Sequence, residues 1–292
     1  MSSTSALVSD LRLLASGFVL AEAPVPAAGG GVYVAEVRLG GVHHVGDDGA
    51  TEVVIEHRRG IGGMAPHAAG GFVVSGRNVA HKALDQSTTL LADRDEAAGR
   101  FIFNDLTADG DGRVYVGSFA TNSPFERDAQ GRAGALGVID LDRAFRILDD
   151  DIVAPNGMGF SPDGRHLYLV ETGRRMLWRY DMEGPGAVRG KRLLVDFGND
   201  GPDGMAVAED GSLWVAMAGA GVVRVFDPEG GSVGAVELPS ATVTSLCFGG
   251  DDRRTVYICT GAHGGEEHDG AVYCARSAVP GLPVSPARVP LG

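Results

Sequence analysis

Hydrophobic and polar positions alternate along this chain in a repeated unit, which consists of a short apolar strand, a polar turn and a second apolar strand. The clearest copy extends from Asp203 to Ala216. Anchored on the second strand, the copies fall at positions 33, 73, 115, 168, 214 and 257, so the repeat is 40 to 53 residues long. A repeat of this length, with at least two strands per unit and no helical period, is typical of propeller blades. The pattern predicts an all-β protein, a six-bladed β-propeller with four-stranded antiparallel blades.

The residue that opens each copy lies 11 to 13 positions before its anchor. In a propeller these equivalent positions face one another around a central channel. Taken singly, several of them also fit an ordinary role, because Asn and Asp are common in turns. The six opening residues are Glu22, Gly62, Asn104, Asn156, Asp203 and Thr244.

Four of the opening residues, Glu22, Asn104, Asn156 and Asp203, carry the oxygen ligands that a hard divalent cation prefers. Two carboxylates that converge in a narrow channel would repel each other and be poorly solvated. A divalent cation neutralises both, and the two Asn carbonyl groups complete an oxygen cage. We therefore predict a central metal-containing channel with these four residues as ligands.

The six repeats predict a single propeller domain over residues 11–292, preceded by a flexible N-terminus at residues 1–10. A strand-like stretch at residues 11–20 precedes the first unit. Either this stretch or the tail at residues 282–291 can add a strand to the last blade and so remove an exposed sheet edge. The sequence leaves both possibilities open.

Composition narrows the range of partners and compartments. The 292 residues include 25 Lys and Arg against 38 Asp and Glu, a formal net charge of −13, which argues against a nucleic-acid groove.

The three cysteines, Cys247, Cys259 and Cys274, have no metal-binding spacing and are predicted to be buried thiols in a reducing compartment. Charges interrupt the N-terminal apolar stretch, and no apolar run reaches membrane-spanning length. We expect a cytoplasmic protein without nucleic-acid or membrane partners, while its oligomeric state stays open.

Five runs of residues form an ordered set: 22–25, 104–117, 155–168, 202–216 and 243–250. The set resembles the senescence marker protein/gluconolactonase/luciferin-regenerating enzyme family, over residues 12–290. The resemblance implies a six-bladed propeller with one divalent metal ion in the channel, commonly calcium, with zinc, magnesium or manganese in some members. It implies Glu22, Asn156 and Asp203 as ligands, and Asn104 as a fourth ligand or a substrate contact.

The resemblance also implies hydrolysis of sugar lactones, and related propellers hydrolyse other esters. A divalent cation polarises the lactone carbonyl, stabilises the oxyanion of the tetrahedral intermediate and lowers the pKa of a bound water. Asp203 is the candidate general base for that water, on the condition that the cation only partly neutralises its carboxylate. Glu22 is the alternative base.

One departure from the family pattern concerns the substrate. Family lactonases that act on sugar acids carry Arg two residues before the position of Asn104, whereas this chain has Ile102. The loss of fixed guanidinium donors beside the ion indicates a substrate less polar than a sugar lactone. In the long loop 118–134, Thr121 and Asn122 stand where sugar-directed members place an acidic contact. We predict that these two residues, with Ile102 and Asn104, contact the substrate.

A second long loop, residues 260–270, is expected on the same face, and such loops on a rigid scaffold often contact substrates. It holds His263, which is a candidate substrate contact. Glu171 lies near this face and is a further candidate. His67 lies in a hairpin turn at the opposite end and is not expected to take part in the chemistry.

Three functions are compatible with the sequence. The first is a metal-dependent, gluconolactonase-like hydrolase of a lactone or ester. The second is a metal-assisted cyclase, isomerase or dehydratase of a biosynthetic pathway, which could use the same Lewis acid and base. The third is a non-catalytic ligand-binding propeller, against which the four oxygen-bearing residues argue, because a scaffold has no need of them. No sequence feature reports whether water is the nucleophile, so the first two remain open.

Overall fold

The structure is a computed structural model and describes residues 7–121, 132–262 and 268–292. Over these residues the chain forms twenty-four β-strands, named β1 to β24 in chain order, and one short 3-10 helix at Glu96–Ala98. The strands form six four-stranded sheets. By its internal contacts the chain divides into a first unit, Met1–Arg59 with Phe197–Pro283, and a second unit, Gly60–Asp196 with Val284–Gly292.

The first unit contains three of the sheets, and neighbouring strands in each are antiparallel. In order of pairing, the sheets are β2 (Ala21–Pro26), β3 (Val32–Glu36), β4 (Val42–Val45) and β5 (Thr51–Ile55); β18 (Gly201–Val207), β19 (Leu213–Ala218), β20 (Val222–Phe226) and β21 (Ser232–Glu237); and β22 (Val243–Gly249), β23 (Thr255–Thr260), β24 (Gly270–Ser277) and β1 (Val8–Phe18).

The second unit contains the other three sheets, which are also antiparallel throughout. In order of pairing they are β6 (Met64–Pro66), β7 (Phe72–Val74), β8 (Asn78–Lys82) and β9 (Thr88–Asp93); β10 (Ile102–Ala108), β11 (Val114–Phe119), β12 (Gly134–Ile139) and β13 (Phe145–Ile152); and β14 (Pro155–Phe160), β15 (His166–Glu171), β16 (Met176–Gly184) and β17 (Ala187–Asp196).

The six sheets are the blades of a six-bladed β-propeller, which confirms the predicted fold class. Every anchor of the repeat, from Tyr33 to Tyr257, lies in the second strand of a blade. Five of the six opening residues lie within the first strand of their blade, and Gly62 lies just before β6. The repeat in the sequence therefore corresponds blade by blade to the structure.

The second strands form the most buried layer of the blades. Every residue of β11 is buried, whereas every residue of the outer strand β17 is half-buried or exposed. The aromatic anchors Tyr115, Tyr168, Trp214 and Tyr257 are at most 1% exposed and therefore belong to the blade cores. Buried polar atoms of these rings have partners: the Trp214 Nε1–H donates to the Ser212 hydroxyl at 3.1 Å, and the Tyr257 hydroxyl donates to Asp47 Oδ1 at 2.7 Å.

The last blade is completed by the N-terminal strand rather than by the tail. β1 pairs with β24, from Val8 opposite Ser277 to Phe18 opposite Gly270. The strand begins at Val8, inside the stretch 1–10 that we predicted to be flexible. Its order has a physical reason, because Val8 and Leu11 pack against a core of buried residues in this unit.

The tail has a different place. Residues Val284–Gly292 belong to the second unit. The Ala287 N–H donates to the Pro66 carbonyl at 2.8 Å, and the Arg288 N–H donates to the Gly112 carbonyl at 2.8 Å. This C-terminal segment therefore lies against the turn ends of the β6–β7 and β10–β11 hairpins.

Cys247, Cys259 and Cys274 lie on the three neighbouring strands β22, β23 and β24, and all three are buried and not disulfide-bonded, as predicted. Within the described ranges, the chain has no helix with the length and hydropathy required to cross a membrane.

Candidate metal and substrate site

The four predicted ligands share one position in the pairing of their strands. Each lies three residues before the residue that pairs with the anchor of its blade, as Asn104 precedes Thr107, the partner of Tyr115. In all four blades the register of this antiparallel pair shifts at the predicted ligand. Such a bulge bends the strand and re-aims a side chain. Thr244 on β22 has the same spacing before its anchor pair and a register shift of its own, so the bulge belongs to the repeated fold, and the four predicted ligands differ from Thr244 in their carboxylate or amide oxygens.

In the first unit, the structure brings the two predicted carboxylate ligands next to a common strand. Glu22 lies on β2 and Asp203 on β18, and both strands contact β22. The hydroxyl of Thr244 on β22 donates to the Ala21 carbonyl at 2.6 Å. A Cβ atom on Gly204 would overlap a side chain of β22, so the backbone after Asp203 approaches that strand closely.

The Glu22 carboxylate is held by its own turn. Its Oε2 atom accepts a hydrogen bond from the Ala23 N–H at 2.9 Å. Ala23 has a φ of 50°, in the left-handed region that non-glycine residues seldom adopt. Burial raises the pKa of the Cys259 thiol well above its ordinary value, and the charge of Glu22 raises it further. Glu22 therefore lies near β23 in a strained segment, as residues at functional sites often do.

In the second unit, Asn104 is joined to the segment that carries Asn156. The Asn104 Nδ2 atom donates to the Pro155 carbonyl at 3.0 Å. Because a carbonyl oxygen can only accept, this contact fixes which end of the amide faces Pro155 and turns Oδ1 the other way. A Cβ atom on Gly62 would overlap Asn104 Oδ1, so the absence of a side chain at Gly62 makes room for that oxygen.

The second asparagine is oriented by a hydroxyl. The Asn156 Nδ2 atom donates to Thr172 Oγ1 at 3.1 Å, and Thr172 directly follows β15. The amide nitrogen of Asn156, like that of Asn104, is therefore engaged by the protein. In both residues the carbonyl end of the amide faces away from that contact.

The donor chemistry of the four residues fits a hard divalent cation. Carboxylate and amide carbonyl oxygens are the groups that Ca²⁺ and Mg²⁺ bind, whereas zinc sites rely on nitrogen and sulfur ligands. In the described part of the chain, no three or more His, Cys, Asp or Glu residues are grouped so that they could hold a metal. The predicted set is of another kind, because it combines two carboxylates with two asparagines.

Asp105, next to Asn104, is a titratable residue beside the candidate site that sequence reasoning did not single out. Its side chain is half-buried, and its Oδ1 atom accepts a hydrogen bond from the Leu106 N–H at 2.7 Å. Burial raises the pKa of this carboxyl to about 7, although the hydrogen bond from Leu106 opposes the shift. The Asn104-Asp105 pair was visible in the sequence, but the burial of the second member was not.

The predicted substrate contacts are partly within the described residues. Ile102 begins β10 and pairs with Phe119 of β11, and Thr121 follows just after that strand. Because Ile102 pairs with the last residue of β11 and Thr121 follows two residues later, both lie at the same end of one blade. Both residues are half-buried. Asn122 and His263 lie outside the described residues.

Glu171, a candidate substrate contact from the sequence, is instead engaged by the protein. Its side chain is fully buried and accepts hydrogen bonds from the Val153 N–H at 2.6 Å and from Trp178 Nε1 at 2.6 Å. Arg174 Nη1 donates to the same carboxylate at 2.9 Å. A carboxylate saturated in this way organises the protein and is not accessible to a substrate.

Comparison with known proteins finds relatives over most of the chain. A sequence model of the SMP-30/Gluconolactonase/LRE-like region matches residues 20–262. The chain is 29% identical to the 6-deoxy-6-sulfogluconolactonase of Pseudomonas putida, over 90% of this chain and 93% of that protein. It is 33% identical to regucalcin of Xenopus laevis, over 71% of each protein. Among solved structures, a luciferin-regenerating enzyme matches 96% of this chain and 99% of its own with a TM-score of 0.85 at 19% identity, a likeness of fold.

Proposed function

Because the chain belongs to the SMP-30/gluconolactonase/LRE-like family, and a relative that matches most of its length is a lactonase, we propose that it is a metal-dependent hydrolase of a lactone or ester. The observation that carries the proposal is the common position of Glu22, Asn104, Asn156 and Asp203, each at a bulge at the same spacing before the anchor pair. Four oxygen-bearing side chains at one repeated position support a role in holding a cation.

We assign these four residues to one divalent ion, with calcium as the first choice. The donor set consists of hard oxygen atoms, which favours calcium or magnesium over zinc. Asn104 serves as the fourth ligand or as a substrate contact. The bond from its Nδ2 atom to the Pro155 carbonyl supports both roles, because it turns Oδ1 the other way, and Oδ1 can bind a cation or accept a hydrogen bond from a substrate hydroxyl.

In the proposed reaction Asp203 accepts a proton from the water that attacks the carbonyl carbon of the lactone. The carbonyl oxygen becomes an oxyanion in the tetrahedral intermediate. The bond between the carbonyl carbon and the ring oxygen then breaks, and the ring oxygen takes the proton that Asp203 accepted and leaves as a hydroxyl group. A bound divalent cation supplies the positive charge that polarises the carbonyl.

The substrate is proposed to be less polar than a sugar lactone. Ile102 provides an apolar side chain where sugar-directed family members carry a guanidinium, and its half-buried position at the start of β10 supports a contact. Thr121 lies at the same end of the blade. Asn122 and His263 are kept as proposed contacts from the sequence.

The test combines metal content with turnover. Elemental analysis of the wild type, after dialysis without chelator, is expected to find about one divalent ion per chain. The Glu22→Gln/Asp203→Asn double variant is expected to lose that ion, because both negative charges are removed. In a panel of apolar and sugar lactones, Asp203→Asn alone is expected to lower kcat/KM by about 10²- to 10⁴-fold, the usual contribution of a general base.

Asp227→Asn is the matched control, since it makes the same change in a turn between two outer strands, where Asp227 Oδ1 accepts from the Glu229 N–H at 2.9 Å. It should retain both metal and turnover. A wild type that stays metal-free when divalent ions are added would refute the proposal and leave a binding propeller. A metal-loaded protein that hydrolyses no ester would instead point to a cyclase, isomerase or dehydratase.

A further inference from the structure

We propose that Thr172 is a positioning residue that fixes the amide of Asn156 for cation binding. This inference rests on the proposed function, because it concerns a ligand of the proposed ion. Thr172 itself does not belong to the ligand set. Its effect is to restrict the rotation of the Asn156 side chain before the ion arrives.

The contact that carries the inference is the 3.1 Å hydrogen bond from Asn156 Nδ2 to Thr172 Oγ1. A hydroxyl can accept from the amide nitrogen or donate to the amide oxygen, so Thr172 fixes the plane and position of the amide. A cation at Oδ1 selects the orientation in which the nitrogen faces Thr172. Outer contacts of this kind orient metal ligands, and their loss costs about 10- to 100-fold in metal affinity.

Thr172 is itself firmly placed. Its N–H donates to the Ala154 carbonyl at 3.1 Å, and the Gly173 N–H donates to the Val153 carbonyl at 3.0 Å. A Cβ atom on Gly173 would overlap Val153, so the two segments are in close contact. These bonds tie the turn after β15 to the residues that lead into Asn156.

Glu171, the residue before Thr172, also joins the end of β15 to the residues that lead into Asn156. Glu171 is fully buried and accepts the Val153 N–H, as described above. Ala154, between Val153 and Asn156 in sequence, has a φ of 53° and is therefore in the left-handed region. A strained residue persists when its surroundings over-determine it, and the bonds to Glu171 and Thr172 do so here.

The blade formed by β2, β3, β4 and β5 contains the same arrangement without the hydroxyl. Glu36 accepts the Val19 N–H at 2.7 Å, and the Val37 N–H donates to the Leu20 carbonyl at 3.0 Å. Val19 and Leu20 precede Glu22 by the same spacing at which Val153 and Ala154 precede Asn156.

Val37 therefore occupies the position of Thr172 and forms the equivalent backbone bond. The backbone connection does not require a hydroxyl, so the hydroxyl of Thr172 is available for Asn156. The comparison also shows that the fold accepts valine at this position, which makes Thr172→Val a suitable test.

The experiment is a calorimetric titration of metal-free protein with calcium, magnesium, zinc and manganese chloride in turn. Thr172→Val is expected to raise the dissociation constant of the bound ion by about 10- to 100-fold. Thr172→Ser, which keeps the hydroxyl, is expected to stay within about threefold of the wild type. Thr51→Val, the same change at an exposed position of β5, should have no effect. The melting temperature of the metal-free Thr172→Val protein should remain that of the wild type.

Each result bears on the inference. Equal ion affinity in the wild type and in Thr172→Val overturns it and leaves the proposed function standing. The inference is also overturned if metal-free Thr172→Val melts at a lower temperature than the wild type and Thr172→Ser binds the ion as weakly as Thr172→Val does. That result would reveal a general structural role of Thr172. A wild type that binds none of the four ions removes both the proposed function and this inference.

Discussion

Gly62 occupies the opening position of its blade, where other blades carry polar side chains, and the reason lies in its neighbour Asn104. The backbone φ of Gly62 does not require glycine, since it is not among the positive-φ residues. A Cβ atom there would nevertheless overlap Asn104 Oδ1. The glycine is needed for space, because any side chain at this position would displace the oxygen of a proposed ligand.

The substitution Gly62→Ala tests this argument at the level of one methyl group. We expect the added Cβ to push the Asn104 amide off its hydrogen bond to Pro155 and to weaken divalent-ion binding by about tenfold or more, in the range seen when ligand-orienting contacts are lost. Calorimetric titration with the ion found by elemental analysis measures the change. Gly110→Ala is the control, because a Cβ atom there would contact nothing within 4 Å. Unchanged affinity in Gly62→Ala would show that the Asn104 oxygen is not a ligand.

The proposed ligands and the proposed positioning residue differ in how visible they are in the sequence. Glu22, Asn104, Asn156 and Asp203 could be singled out as candidates because a polar residue that recurs at one spacing in an apolar repeat leaves a trace in the sequence. Thr172 leaves no such trace. Its proposed role depends on the close approach of two residues that are 16 positions apart in sequence, which only the folded backbone brings together.

At the level of elements, each of two blades has a buried carboxylate that accepts hydrogen bonds from the backbone just before the first strand of that blade. Glu36 and Glu171 end the second strands β3 and β15, and both are nearly or fully buried. Glu36 accepts backbone N–H groups from Val19 and Leu20, and Glu171 accepts the N–H of Val153. A carboxylate that accepts several backbone donors replaces the missing pairing at an irregular crossover, where a ladder of strand hydrogen bonds cannot continue.

Another element-level contact joins the C-terminal segment to the β6–β7 turn through His67. Its Nε2 atom lies 3.0 Å from the Val289 carbonyl, and its Nδ1 atom accepts the Ala69 N–H at 3.1 Å. Both nitrogens are thus used by the neutral ring, with the proton on Nε2. Burial lowers the pKa of His67, the bond to Val289 opposes this shift, and the nearby His81 adds to it.

The pH dependence of stability follows from this shift. A histidine whose pKa is lowered in the folded state binds fewer protons there than in the unfolded chain, where its pKa is about 6.5. The free energy of unfolding should therefore fall as the pH decreases from about 7 towards the lowered pKa, with a slope of at most about 1.4 kcal/mol per pH unit for one proton. Urea unfolding at several pH values measures the slope, and His67→Gln is expected to make it shallower.

His57→Gln is the control. The side chain of His57 is 91% exposed, so its replacement should leave the pH dependence of the free energy of unfolding unchanged. A His67→Gln protein with the same pH slope as the wild type would mean that the ring is protonated equally in the folded and unfolded states.

For the whole molecule, the blade count and the strand order within blades could be predicted, and the closing strand could not. Six copies of one strand–turn–strand pattern predict six blades, even where an individual copy departs from the pattern. The choice between the N-terminal stretch and the tail was undetermined because both are short apolar stretches of similar length. Packing decides it: Val8 and Leu11 contact a blade core, while Ala287 is buried against the second unit.

The proposed ligands come from four different blades, so ion binding should stabilise the molecule as a whole. Addition of the identified ion at about 100 times its dissociation constant should stabilise the folded state by about 2.7 kcal/mol. This corresponds to a rise of several degrees in the melting temperature for a chain of this size. Differential scanning calorimetry with and without EDTA measures it. The Glu22→Gln/Asp203→Asn variant should show no rise and Asp227→Asn a full one, and a rise of equal size in the double variant would place the ion elsewhere.

The pairing of β1 with β24 has a consequence for the synthesis of the protein. β1 is the first described strand to leave the ribosome, and its partner β24 is the last. The equilibrium cost of closing so long a loop grows only with the logarithm of its length. The contact is nevertheless among the least local in the chain, and such pairings form slowly. Until β24 has been synthesised, the nascent chain therefore carries β1 unpaired, with an open hydrogen-bonding edge. Among the described strands, β1 therefore stays accessible for the longest time to chaperones that bind unpaired strand edges.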